Sequence, residues 1–159
     1  MNNGKQKLIL LSCMWLTACS VPLPATTMAK KYEEKLEYSK AIEIYQQILQ
    51  TTPRTTPDGS DISYLYYLLI GDNYLKLGDP TSAEESYIKA IDQNAPTEFI
   101  VDRIRLLSRY YAEQGDHEQA IDILHKYRNI SEEEIDYSID KLHKEQVEQL
   151  KTQNKDQAL

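Results

Sequence analysis

Residues 67–96 read YLLIGDNYLKLGDPTSAEESYIKAIDQNAP, Tyr67 to Pro96, and the reading of this stretch decides the fold. Its leading part belongs to the longer run DISYLYYLLIGDNYLKLG, Asp61 to Gly78, rich enough in aromatic residues to invite a strand. Its length argues for a helix, with Asp61 placed to cap the start and Gly78 the end. Asp79 then stands as an N-cap and Pro80 at the first helical position, where the missing N–H has no intrahelical partner to lose. Residues 61–93 therefore predict helix, tight turn, helix.

The side chains of that pair fall in a spaced order: Tyr67, Ile70-Gly71, Tyr74, Ala83, Tyr87, Ala90 and Pro96. This resembles the tetratricopeptide (TPR) unit of about 34 residues, W-x2-L-G-x2-Y…A-x3-F…P, with the proline one residue late. The resemblance implies that Gly71 and Ala83 are small because two helices cross there, with Tyr74 and Tyr87 filling the space beside them.

A second copy starts near Val101. Ile104, Leu107-Ser108 and Tyr111 mark its first helix, Gly115-Asp116 its turn, and Ala120, Leu124 and Tyr127 its second helix. Ser108 replaces the glycine, and Tyr127 stands where a small residue is usual. An earlier copy carries Ala29 and Tyr32, then Ala41, Tyr45, Ile48 and Pro53, and a polar insertion at 51–60 separates it from the next. That insertion has no apolar residue to tie it down and is expected to be the most mobile internal segment. Ser131 and Glu134 form a capping box ahead of the stripe Ile135, Ile139, Leu142, Val147 and Leu150, which suits a helix covering one end of a stack. The expected architecture is all-α: an α-solenoid of about three TPR-like pairs (25–55, 64–97, 101–130), a capping helix at 131–150 and a disordered tail at 151–159.

The front of the chain has a different character. Lys5 and Lys7 precede the apolar run Leu8–Leu16, followed by the small residues Thr17 and Ala18, the layout of a signal peptide spanning 1–18. The run is shorter than the roughly 20 apolar residues that span a bilayer. Leu16-Thr17-Ala18-Cys19 resembles the bacterial lipobox, which implies cleavage before Cys19, a lipid (palmitate-bearing) anchor on its sulfur, and a short tether at 19–24. Ser20, in place of an acid, resembles the sorting signal for the outer membrane, so the resemblance implies its periplasmic face. Cys13 falls within the segment removed, leaving Cys19 without a disulfide partner.

The full chain has a formal charge of −7, which argues against nucleic acid as a partner, since phosphate binding needs a cationic face. Its three histidines, His117, His125 and His143, are not at zinc-ligand spacing. No nucleophile elbow or phosphate-cradling loop appears. Neither an enzyme, a cofactor nor a metal is expected.

Binding remains. In TPR proteins the first helix of each pair lines a concave groove. Leu65, Leu68 and Asp72 share one such face, and Asp102, Arg105 and Arg109 share another. Together they would offer an apolar patch beside two arginines, suited to a protein or peptide partner with an acidic feature, membrane-proximal if Cys19 is lipidated. The same spacings also allow Arg105 and Arg109 to pair with Asp102 and Glu113 on their own helix, and Leu65 and Leu68 to pack under the preceding helix. Of the tyrosines, Tyr45, Tyr74, Tyr87 and Tyr111 fall on packing positions, whereas Tyr64, Tyr66 and Tyr110 are freer. The expected role is a periplasmic adaptor or scaffold. TPR lipoproteins also include pilotin-like assembly factors for pili, secretins or other secretion machines, and a regulator of a cell-wall enzyme is a further alternative.

Overall fold

A computed structural model describes residues 24–51 and 59–157, with side chains as far as Thr152. The expected signal peptide, Cys19, most of the tether and most of the polar insertion lie outside the described residues. The described residues form seven α-helices and one 3-10 turn, and no strand. In order they are α1 (Ala25–Glu34), α2 (Tyr38–Thr51), α3 (Ser63–Lys76), α4 (Pro80–Asp92), α5 (Thr97–Glu113), α6 (His117–Lys126), the turn Arg128–Ile130 and α7 (Glu132–Gln157). Each helix packs chiefly on its neighbours in the chain, in the pairs α1–α2, α3–α4 and α5–α6, and α7 lies on α5 and α6. This is the expected α-solenoid with a C-terminal helix.

The turn inside each pair is the same structure three times. The N–H of Glu37, Asp79 and Asp116 donates to the carbonyl of Tyr32, Tyr74 and Tyr111, at 2.9, 3.0 and 2.9 Å. Such a closure places the residue before the donor in the left-handed region. Gly78 and Gly115 occupy that position at φ +79° and +84°, and Leu36 at +61°. Asp79 and Asp116 then cap α4 and α6, each carboxylate accepting a backbone N–H at 3.0 Å, from Ser82 and Gln119. Asp61 departs slightly from expectation. Ile62 holds the N-cap position of α3, and the Asp61 carboxylate accepts the Ser63 N–H at 2.8 Å.

Within each pair the helices cross at a small residue facing an alanine: Ala29 and Ala41, Gly71 and Ala83, Ser108 and Ala120, all buried. A Cβ at Gly71 would stand 2.4 Å from Cε1 of Tyr87 and 3.1 Å from the Ala83 carbonyl oxygen, so only glycine fits beside that ring. The third pair solves the same crossing differently. Leu124 replaces the tyrosine, and Ser108 Oγ donates to the Ala120 carbonyl at 2.8 Å. The bulk omitted there returns one turn later at Tyr127, whose hydroxyl donates to Glu84 at 2.7 Å.

Two apolar clusters result. One joins Ala29, Ala41, Ile42, Tyr45 and Ile48 to Ile70, and the other runs from Leu68 through α4, α5 and α6 to Ile135 and Ile139, with Tyr74 touching both. The apolar stripe of α7 is therefore covered only in its first half. Val147 and Leu150 are 49% and 52% exposed. Moreover α7 does not stop near residue 150 to leave a disordered tail, but continues to Gln157. The added segment has neither glycine nor proline to end it, and Thr152 Oγ1 donates back to the Glu148 carbonyl at 3.0 Å. No helix among the described residues is long and apolar enough to cross a membrane.

Candidate functional site

The residues expected to form a single groove separate into three environments. Leu68 is 2% exposed within the larger core, because the face of α3 bearing it packs under neighbouring helices. Leu65 is at the surface, and it is not among the residues lining either hollow described below. Asp72 turns towards α5, where the Arg103 guanidinium grips it through Nη2 at 2.9 Å and Nε at 3.3 Å. The same carboxylate accepts the Tyr87 hydroxyl at 3.0 Å. Burial, then the charge of Asp72, pushes the Tyr87 phenol well above its ordinary value. This triad clamps α3, α4 and α5 together. Arg103 was not foreseen, because one residue's offset from Asp102 puts it on another helix face, and only the stacking of pairs brings Asp72 within reach.

Asp102 and Arg105 are close on their own helix, 3.6 Å apart, as the local-pairing alternative held. Arg105 also reaches α7, donating to Ser138 Oγ at 2.9 Å and the Glu134 carbonyl at 3.1 Å, with the Glu134 carboxylate at 3.2 Å. Arg109, one turn further along, is exposed and has no ion pair among the described residues. Its expected partner Glu113 is nearby but is not paired with it.

Arg105 and Arg109 together form one wall of a cleft of about 430 Å³ between α5 and α7. The floor is Ala112, Leu124 and Leu142, and the other wall is Tyr137, Lys141 and Glu145. Lys141 is held only loosely, 3.8 Å from Glu145. His117, at the start of α6, lines the same cleft, and its Nδ1 is buried without a hydrogen-bond partner among the described residues. The cleft thus presents two weakly engaged cations, Arg109 and Lys141, over an apolar floor, with the carboxylates of Glu113 and Glu145 among its lining. Sequence reasoning found its arginines but not Lys141, Leu142 or His117. Leu142 belongs to the covered half of the α7 stripe and borders the cleft at its edge, which helical spacing does not mark, and nothing in the sequence distinguishes Lys141 or His117.

A second hollow of about 450 Å³ lies between α2, α3 and α4, lined mainly by polar and amphipathic groups including Gln46, Gln50, Glu85 and Lys89. The tyrosines expected to be free are partly packed. Tyr64 stacks on Phe99 at 6.4 Å and Tyr66 lies 6.2 Å from Tyr45, while Tyr110 donates to the Gly78 carbonyl at 3.3 Å. Among the described residues no three His, Cys, Asp or Glu side chains are grouped to hold a metal.

The tetratricopeptide repeat family model matches residues 64–96, the α3–α4 pair with its entry and exit. No curated protein matches the chain. Residues 64–96 are thus similar to a tetratricopeptide repeat, which suggests a protein–protein interaction module, and such repeats are generally non-catalytic.

Proposed function

We propose that this chain is a membrane-anchored periplasmic adaptor that holds a protein partner through the α5–α7 cleft. The observation that carries the binding half is the pair of weakly engaged cations, Arg109 and Lys141, over the apolar floor at Leu124 and Leu142. Charge-assisted bonds to a carboxylate reward such donors when they are not already committed. The partner's matching feature is an acidic side chain followed or preceded by an apolar one on an extended or helical segment. The anchoring half is supported by Leu16-Thr17-Ala18-Cys19 behind its apolar run. Several acyl chains on one cysteine hold a protein to a bilayer where a single chain holds it only marginally. On this reading the anchor lies on the periplasmic face of the outer membrane.

Crosslinking in the native envelope, followed by identification of captured proteins, tests the first half. Arg109→Glu with Lys141→Glu should lower capture by roughly tenfold or more, from the loss of charged hydrogen bonds, and leave the melting temperature near that of the parent. Capture unchanged by the double reversal rules the cleft out. Cys19→Ala tests the second half: persistence of metabolic palmitate label in that variant rules out lipidation at Cys19.

A further inference from the structure

Charge changes sign along the α5–α7 cleft, and it does so on both walls. Arg109 and Glu113 stand four residues apart on α5, Lys141 and Glu145 four apart on α7, and all four line the cleft. From α5 to α6 and from α6 to α7 the chain reverses through a short turn, so α5 and α7 run the same way. Arg105 sets their register by donating to Ser138 Oγ and the Glu134 carbonyl. The next turn therefore carries Arg109 on one wall and Lys141 on the other, and the turn after it Glu113 and Glu145. At 1.5 Å per residue, the carboxylates lie about 6 Å beyond the cations along both helices.

These charges are not neutralised by one another. Arg109 and Glu113 belong to no ion pair among the described residues, and Lys141 is 3.8 Å from Glu145. All four side chains are exposed. The carboxylate end also holds an unused polar atom. His117 opens α6 just past the turn that follows Glu113, and its Nδ1 is buried without a hydrogen-bond partner among the described residues. One nitrogen of a neutral imidazole accepts, and a buried polar atom left without a partner carries a desolvation cost that a ligand's donor relieves.

Building on the cleft reading above, we propose that the partner is a dipolar amphipathic helix. Its acidic side chain meets Arg109 and Lys141, and a lysine or arginine four residues away meets Glu113, Glu145 and the His117 nitrogen. An apolar side chain three residues from the acid shares that face and lies over Leu124 and Leu142. Four residues of helix span the same 6 Å or so as the step on each wall, so both charges are met in one register. A purely acidic segment would leave the carboxylate end unanswered, and a second acid would be repelled by it. A helix satisfies its own backbone groups over the apolar floor, whereas an extended segment finds no strand to pair with among the described residues. Because a helix can lie in either direction, the spacing of its two charges is diagnostic and their order is not.

The test uses four fluorescein-labelled alanine-based peptides, each of about 17 residues so that they are helical. The first carries Glu, Leu three residues on and Lys four residues on. The second moves the Lys to two residues on, which turns it to the opposite face at the same net charge. The third and fourth replace the Lys or the Glu by Gln. Fluorescence anisotropy with the full chain at low salt gives the dissociation constants. The first peptide should bind about three- to fivefold more tightly than the second or third, the scale of a half-exposed ion pair. That advantage should vanish in a Glu113→Gln, Glu145→Gln protein whose melting temperature matches the parent's. The formal charge of −7 attracts the first two peptides alike and cannot supply the difference. Tighter binding of the second peptide would mean an extended segment and overturns the inference. So does an advantage that survives Glu113→Gln with Glu145→Gln, equal binding of the first and third peptides, or no binding of any at millimolar concentration. The cleft reading is tested apart from this, by the fourth peptide and by Arg109→Glu with Lys141→Glu. Binding weakened there, while the Lys makes no difference, leaves that reading standing without the basic contact; binding unmoved there overturns both.

Discussion

Gly71→Ala removes no contact and adds one carbon, yet it should destabilise the protein. In an isolated helix the change would stabilise by about 1 kcal/mol, the propensity difference between the two residues. Here the new Cβ would lie 2.4 and 2.7 Å from Cε1 and Cδ1 of Tyr87 and 3.1 Å from the Ala83 carbonyl oxygen. Relief requires either α3 to draw away from α4 or the Tyr87 ring to shift. The ring is fully buried and its hydroxyl is bonded to Asp72 at 3.0 Å. Overpacking costs about 1–3 kcal/mol, and losing a hydrogen bond to a charged group about 1.5–3 kcal/mol. Set against the propensity gain, the net loss is about 2–4 kcal/mol. Urea unfolding followed by far-ultraviolet circular dichroism measures it through the midpoint, with an unchanged slope if the folded state is otherwise intact. The third pair supplies the compensating variant, because Ser108 there coexists with Leu124. Gly71→Ser with Tyr87→Leu should be less destabilised than the sum of its parts, with a coupling of about 1–2 kcal/mol. A Gly71→Ala protein as stable as its parent would refute the close crossing, and additive energies would refute the exchange of volume between the two sites.

Three further outcomes follow from named contacts. Arg103→Lys should recover only part of what Arg103→Ala loses, an effect of about 1–2 kcal/mol discounted for partial exposure, since ammonium cannot reproduce the two-pronged grip on Asp72. Equal stability of the two variants in urea would contradict this. Ile135→Ala should cost about 2–4 kcal/mol because this side chain of α7 is fully buried against the larger core, whereas Val147→Ala, at a half-exposed site, should change stability by about 0.5 kcal/mol or less; the contrast in urea midpoints checks where the cover ends. Alkali should unfold the protein. Burial raises the phenols of Tyr45, Tyr87 and Tyr127 well above their ordinary value, so the folded state retains protons that the unfolded chain releases. Stability is then fully present below about pH 10, the ordinary tyrosine value, and falls as pH rises beyond it. Phenolate absorbance rising for all twelve tyrosines while the helical signal persists would contradict it.

Much of this fold was legible because TPR-like pairs are local objects. Asp79-Pro80, Gly78 and Gly115-Asp116 act within a few residues of themselves, and the turn they dictate is the same wherever it occurs. Ala83 and Tyr87 could be read as packing positions for a similar reason: their partners lie in the same pair. The groove was less legible. Leu68 shares a helix face with Leu65, yet one is in the core and the other at the surface. Helical spacing says which residues lie side by side, but not which face the next pair will cover. Asp72 was assigned to a ligand when Arg103, 31 positions later, already holds it.

By itself the sequence determined the helices, the pairing of each with its successor, the small residues at each crossing, and the lipobox-like motif ahead of them. These depend on spacing and on side-chain size over short distances. Only the tertiary structure decided how the pairs stack: that Arg103 clamps Asp72, that Arg105 ties α5 to α7, and that Arg109 and Lys141 face one another across an open cleft. It also decided that Leu36 stands strained and exposed at a turn where the later pairs have glycine. Each of these outcomes is set by the angle between successive pairs, which is the sum of many weak packing contacts and has no marker at any one residue.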